Sequence, residues 1–143
     1  MILGIDDIRA RLPHRDPILL PNEVRIEDAG RAGCARFNLS ADIRLLGKES
    51  QRDLSRELML ECAAQTFGVV LGSVDSGVPA EDERHLLLGF NNVRFDMTWA
   101  DLAAPFKVGV RALESSGTTH VAAFRVDQAQ YCVAEGTLMV MKG

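Results

Sequence analysis

From residue 86 onward, apolar positions recur every second residue. Phe106, Val108, Val110 and Ala112 alternate with polar or small neighbours. Cys132, Ala134, Gly136, Leu138 and Val140 alternate in the same way with Val133, Glu135, Thr137, Met139 and Met141. Period two is the pattern of a strand with one buried face. Four strands are predicted: Leu86–Phe95, Phe106–Leu113, Thr118–Val126 and Tyr131–Met141. Ser115-Ser116-Gly117 and Asp127-Gln128 are the predicted turns between the last three. An earlier pair of strands, Val24–Ile26 and Ala32–Leu39, flanks Glu27-Asp28-Ala29-Gly30 and reads as a hairpin.

Between these two groups the period changes. Ser55–Gly72 carries Leu58, Met59, Leu60, Cys62, Ala63, Ala64, Phe67, Val69, Val70 and Leu71 around nearly its whole circumference. A helix apolar on all sides is a buried helix. Asp53 or Ser55 is a candidate cap, and Gly72 stands at its end. A shorter helical spacing, Leu3, Ile5 and Ile8, lies in Ile2–Arg11 and is broken by Pro13 and Pro17. The sum is an α+β domain with one long helix and five or six antiparallel strands. A curved sheet wrapped around the helix satisfies the missing polar face. A two-layer arrangement with the helix half-exposed fits less well.

The chain has 143 residues, a hydrophobic share of 47% and a net charge of −4. That size predicts one domain, and that charge gives no general attraction to nucleic acid or an anionic membrane. Glu61 and Gln65 interrupt the longest apolar run, so no membrane span is expected. Met1–Ile8 holds Asp6 and Asp7 and no basic stretch, so a secretory signal is not expected and a cytoplasmic location is. Cys34, Cys62 and Cys132 show no ligand spacing. They read as free thiols packed as small hydrophobes. Neither a metal nor a cofactor is expected.

Candidate chemistry is sparse. Glu61 is the one charged residue inside the otherwise apolar stretch 58–71, and burying a carboxyl is costly unless it is paired or neutral. Gln65, one turn on, shares its face. Arg44, Lys48, Arg52 and Arg56 recur every four residues beside Glu49, Asp53 and Glu57. They form either a self-paired solvated face or a basic docking ridge.

Four motifs, in order, carry a family resemblance. Leu12-Pro13-His14-Arg15-Asp16-Pro17-Ile18-Leu19-Leu20 resembles the LPHRxPxLL start of the (3R)-hydroxyacyl-acyl-carrier-protein dehydratases. Glu61-Cys62-Ala63-Ala64-Gln65 resembles their helix motif ExxAQ, and Leu88-Gly89-Phe90-Asn91-Asn92-Val93-Arg94-Phe95 their GIDxARF strand. Tyr131-Cys132-Val133-Ala134-Glu135-Gly136-Thr137-Leu138-Met139 resembles their last strand. Glu57–Gly68 is also similar to the helix of the dehydratase-like proteins of aryl-polyene clusters, a divergent branch.

The resemblance implies the hotdog fold, a dimer or higher oligomer with sites at its interface, and loss of water from a β-hydroxyacyl thioester on an acyl carrier protein. It implies Glu61 as the helix acid. Gln65, Gly89, Phe90 and Asn91 would border the substrate. Arg44, Lys48, Arg52 and Arg56 would meet the acidic carrier. The family's loop His lies fourteen residues before the acid, where this chain has Gly47. His14 is a candidate proton-transfer group or an ordering residue of the lead-in. The alternatives are a non-catalytic partner of a complete dehydratase, possibly as a heteromer, and a hotdog acyl thioesterase using Glu61 to activate water.

Overall fold

The computed structural model describes residues 1–11, 21–38, 56–73, 85–98, 100–101 and 104–142. Among them run β1 (Ile2–Leu3), α1 (Ile5–Arg11), β2 (Glu23–Asp28), β3 (Ala32–Phe37) and α2 (Arg56–Gly72). β4 (His85–Phe95), β5 (Phe106–Ser116), β6 (Thr119–Gln128) and β7 (Tyr131–Lys142) follow. The strands form one antiparallel sheet in the order β1-β2-β3-β5-β6-β7-β4. No described helix is long and apolar enough to cross a membrane.

The predicted alternation is the alternation that packs. Phe106, Val108 and Val110 of β5, Ala122, Phe124 and Val126 of β6, and Ala134, Leu138 and Val140 of β7 are buried. They meet Met59, Cys62, Ala63, Phe67, Val69 and Val70 of α2, all without exposed surface. Phe37 and Phe106 stack with centroids 4.9 Å apart. Gly33 lets this layer close: a Cβ there would stand 2.7 Å from Val70 Cγ2 and 2.9 Å from the Arg25 carbonyl oxygen.

Several boundaries differ from expectation, and β2 runs on to Asp28, which pairs with Ala32, so Glu27 and Asp28 stay in the strand rather than in the turn. Ile2 and Leu3 pair with Arg25 and Val24 of β2 rather than starting the first helix. That helix begins at Ile5, with Ile8 N–H donating to the Gly4 carbonyl at 3.0 Å. β1 brings the sheet to seven strands. The β5–β6 turn falls at Gly117-Thr118, where Gly117 takes φ 60°, so Ser115 and Ser116 stay in the ladder with His120 and Thr119. The β6–β7 turn falls at Ala129-Gln130, with Ala129 at φ 55°, so Asp127 and Gln128 pair with Cys132 and Tyr131.

Gln128 gains a second task by remaining in the strand. Its buried amide donates to the carbonyls of Asp101 (2.5 Å) and Ala104 (3.0 Å) and accepts from Asp101 N–H (2.8 Å). Gln128→Ala strands these groups, and a loss of about 1–3 kcal/mol is expected in urea unfolding. Amide exchange at Asp101 should accelerate with it. Ser73 ties the end of α2 to the β2–β3 turn: its hydroxyl donates to the Val70 carbonyl (2.5 Å) and accepts from Gly30 N–H (3.0 Å).

Candidate functional site on the central helix

Burial along α2 is uneven. Residues 65–70 are buried, but Leu58, Leu60, Glu61, Ala64 and Leu71 are only half-buried, and Arg56 and Glu57 are exposed. Positions 57, 60, 61, 64 and 71 follow helical spacing and form one stripe. The helix is therefore apolar all round, as expected, yet one apolar stripe is left half-covered by the described chain. Glu61 lies in its middle.

Gln65 is 1% exposed and donates its Nε2–H to Glu61 Oε1 at 2.9 Å. The expected one-turn pairing is thus formed, and a buried amide with little rotamer freedom holds the carboxylate. On the core side, Cys62 is fully enclosed, and burial, with the Glu61 charge second, pushes its thiol well up. That thiol is a packing group. Cys34 and Cys132 differ from expectation. They are half-buried on the sheet face opposite α2, beside Lys107 and Arg25 in one case and Arg125 and Glu135 in the other. All three cysteines are free.

The strand residues divide between the two sheet faces. Phe90 points toward the helix side, half-buried, and meets Phe124 edge-on at 5.8 Å. A register shift between Leu87 and Gly89 marks a bulge. A Cβ at Gly89 would meet nothing within 4 Å, so the bulge, not a close backbone approach, accounts for this glycine. Gly89, Phe90 and Asn91 all line a mostly apolar cavity of about 320 Å³, with Leu88, Val121, Thr137, Leu138 and Met139. Val121, Thr137 and Met139 alternate with the buried Ala122, Leu138 and Val140, which puts this cavity on the outer face. Glu61 and Gln65 are not among its walls.

The close approach falls at Gly136 instead, where a Cβ would stand 2.9 Å from Val93 Cα. A second β4 register shift, between Asn91 and Arg94, lies opposite it, with Asn92 at φ 52°. The glycine on the inward register of β7 was the available signal. Arg56 places its guanidinium 5.3 Å above the Phe95 ring, joining the start of α2 to the end of β4. His14, Arg44, Gly47, Lys48 and Arg52 lie outside the described residues. His120 is 2.8 Å from Ser115 Oγ on the β5–β6 hairpin, and its pairing with buried Val140 puts it on the sheet face that carries α2. No group of three His, Cys, Asp or Glu side chains suited to a metal occurs among the described residues.

The fold is shared with solved proteins. The chain is similar to the dehydratase heterocomplex ApeI:P from Xenorhabdus doucetiae, with TM-score 0.77 and 19% identity over 95% of this chain and 90% of that one. It is similar to the dehydratase domain of RzxB from Pseudomonas fluorescens, with TM-score 0.71 and 18% identity over 99% of this chain and 49% of that one. A hypothetical thioesterase from Streptococcus pneumoniae, solved with coenzyme A, gives TM-score 0.60 and 12% identity over 96% and 92%. These likenesses establish the hotdog fold. The family model of the ApeP-like proteins, described as ApeP dehydratase, matches residues 6–143. With that match spanning α2, its carboxylate and every strand from β2 to β7, the chain belongs to the ApeP-like dehydratase family and is a dehydratase-like hotdog protein.

Proposed function

We propose that the chain is one subunit of a heteromeric dehydratase, paired with a related dehydratase, and acts in the cytoplasm on 3-hydroxyacyl thioesters held by an acyl carrier protein. The observation that carries this reading is the position of Glu61. It sits, oriented by a buried Gln65, on the apolar stripe of α2 that the chain leaves half-covered. A partner lying along that stripe buries Leu60, Ala64 and Leu71 and excludes water from the carboxyl. β4 supports the same pairing. It is the outermost strand of the sheet, eleven residues long, with Leu87 45% and Leu88 51% exposed. A long apolar edge calls for a covering partner. The heteromeric assembly of the similar ApeI:P protein agrees with this.

Dehydration breaks the α C–H bond, whose electrons form the new double bond as the β C–O bond breaks. The hydroxyl then leaves with a proton as water. Glu61 delivers that proton. The first few N–H groups of α2 face the thioester oxygen as it gains charge. Phe90, on the inner face of β4, borders the acyl chain, and the exposed Arg56 meets the acidic carrier. The α-proton requires a base. Residue 47, fourteen before Glu61, is glycine and holds no proton, so the base comes from the partner subunit.

Co-expression with a dehydratase encoded nearby tests the pairing. One co-eluting complex is expected, and separate elution contradicts it. A hydrolytic reading, in which Glu61 activates water, draws on the thioesterase-like fold neighbour. It predicts free acid and thiol, whereas dehydration yields the intact enoyl thioester.

A further inference from the structure

The outer face of the sheet, turned away from α2, bears a groove of about 860 Å³ across β3, β5, β6 and β7. Its floor is small. Cys34 of β3 stands opposite Gly109 of β5, Gly109 opposite Arg125 of β6, and Arg125 opposite Glu135 of β7. A Cβ at Gly109 would find no atom within 4 Å, so the floor lies open to solvent.

Charge along the rim is uneven. Two acids of the groove are engaged: Asp127 with Arg125 at 2.7 Å and Glu135 with Arg94. Lys107 and Arg111, two residues either side of Gly109, are exposed and have no ion pair among the described residues, and neither has Arg25, which stands opposite Cys34 on β2. Glu27 is the remaining acid of the groove. Lys107 and Arg111 thus stand at the open floor, with Arg25 beside Cys34 next to it, and none of the three has an ion pair among the described residues, on a chain of net charge −4. Charge of that sign, set against the chain's own, selects an anionic partner and raises its encounter rate.

Spacing narrows the class. Lys107 and Arg111 are four strand residues apart, about 13 Å between their Cα atoms. That span suits carboxylates spread over a protein surface. No buried aromatic ring of the core is offered to this face for a nucleotide base: Phe37, Phe106 and Phe124 all point inward. We propose that this groove docks an acidic segment of a partner protein, with Lys107, Arg111 and Arg25 contacting its carboxylates and Gly109 leaving room for its backbone.

This inference does not depend on the role of Glu61. The test uses the full chain and poly-L-glutamate as probe, with binding read by titration calorimetry at low and high salt. Saturable binding that weakens steeply with salt is expected, since exposed pairs are screened within about 10 Å at 0.1 M. Single exposed pairs are weak, so Lys107→Glu with Arg111→Glu together should lower affinity about tenfold or more. Gly109→Glu places a carboxylate in open space without disturbing packing and should weaken binding while the unfolding midpoint stays unchanged. Equal binding by either variant overturns the proposal, as does no binding by the unaltered chain. Inorganic phosphate competing at concentrations equal in carboxylate and phosphate would make this a small-anion site. Self-association abolished by the double reversal would make the occupant a second copy. Either result contradicts the proposal.

Discussion

Glu61→Gln in the assembled heteromer is expected to lower the dehydration rate by at least about 100-fold, the usual worth of a positioned general acid. The amide keeps the shape of the carboxyl and can still accept from Gln65 Nε2, so the fold and assembly should survive. A rate change far larger than the change in KM marks a group acting in the chemical step. Gln65→Ala offers the contrast. Gln65 touches the acid rather than the reacting carbons in this reading, so the rate should fall less. The buried site, 1% exposed, should also lose about 1–3 kcal/mol of stability. Unchanged turnover in Glu61→Gln would remove Glu61 from the chemistry.

The largest stability effect is expected at Gly33→Val. Gly33 does not adopt a positive φ, so the cost is one of space. Its Cβ would lie inside contact distance of both Val70 Cγ2 and the Arg25 carbonyl. The Val70 side chain has nowhere to move, because it is wholly enclosed, and the carbonyl belongs to the β2–β3 ladder. Overpacking of this kind costs about 1–3 kcal/mol or more, read as a lower urea midpoint. Gly109→Val is the matched control on the neighbouring strand. Its Cβ meets nothing within 4 Å, and a change within about 0.5 kcal/mol is expected. Equal losses at the two sites would contradict the packing described for α2 on β3.

The long helix and the last four strands were legible because each repeats its signal over many residues. Leu58–Leu71 has no polar face, and Phe106–Val110 alternates without a break. The turns were less legible. Ala129 takes φ 55° with none of the usual turn chemistry, and Gln128 resembles a turn residue while its amide is buried on a loop 24–27 residues away. β1 is two residues long and has no period to read. Gly33 and Gly136 are demanded by neighbours distant in sequence, Val70 and Val93, which no local pattern reveals.

The candidate site divides along the same line. Glu61 and Gln65 were legible as a pair because one helical turn puts them on one face. Gly89, Phe90 and Asn91 are consecutive and all border the outer cavity, yet the strand's pleat turns the Phe90 ring toward Phe124 in the core. A motif on a strand specifies a face only when its register is unbroken.

The central claim is that this chain contributes an acid and its partner a base. The most direct measurement compares hydration of a short 2-enoyl thioester by the purified chain alone and by the co-purified heteromer. Little or no turnover is expected from the chain alone, and robust turnover from the heteromer. Turnover by the isolated chain at the rate of the heteromer would contradict it.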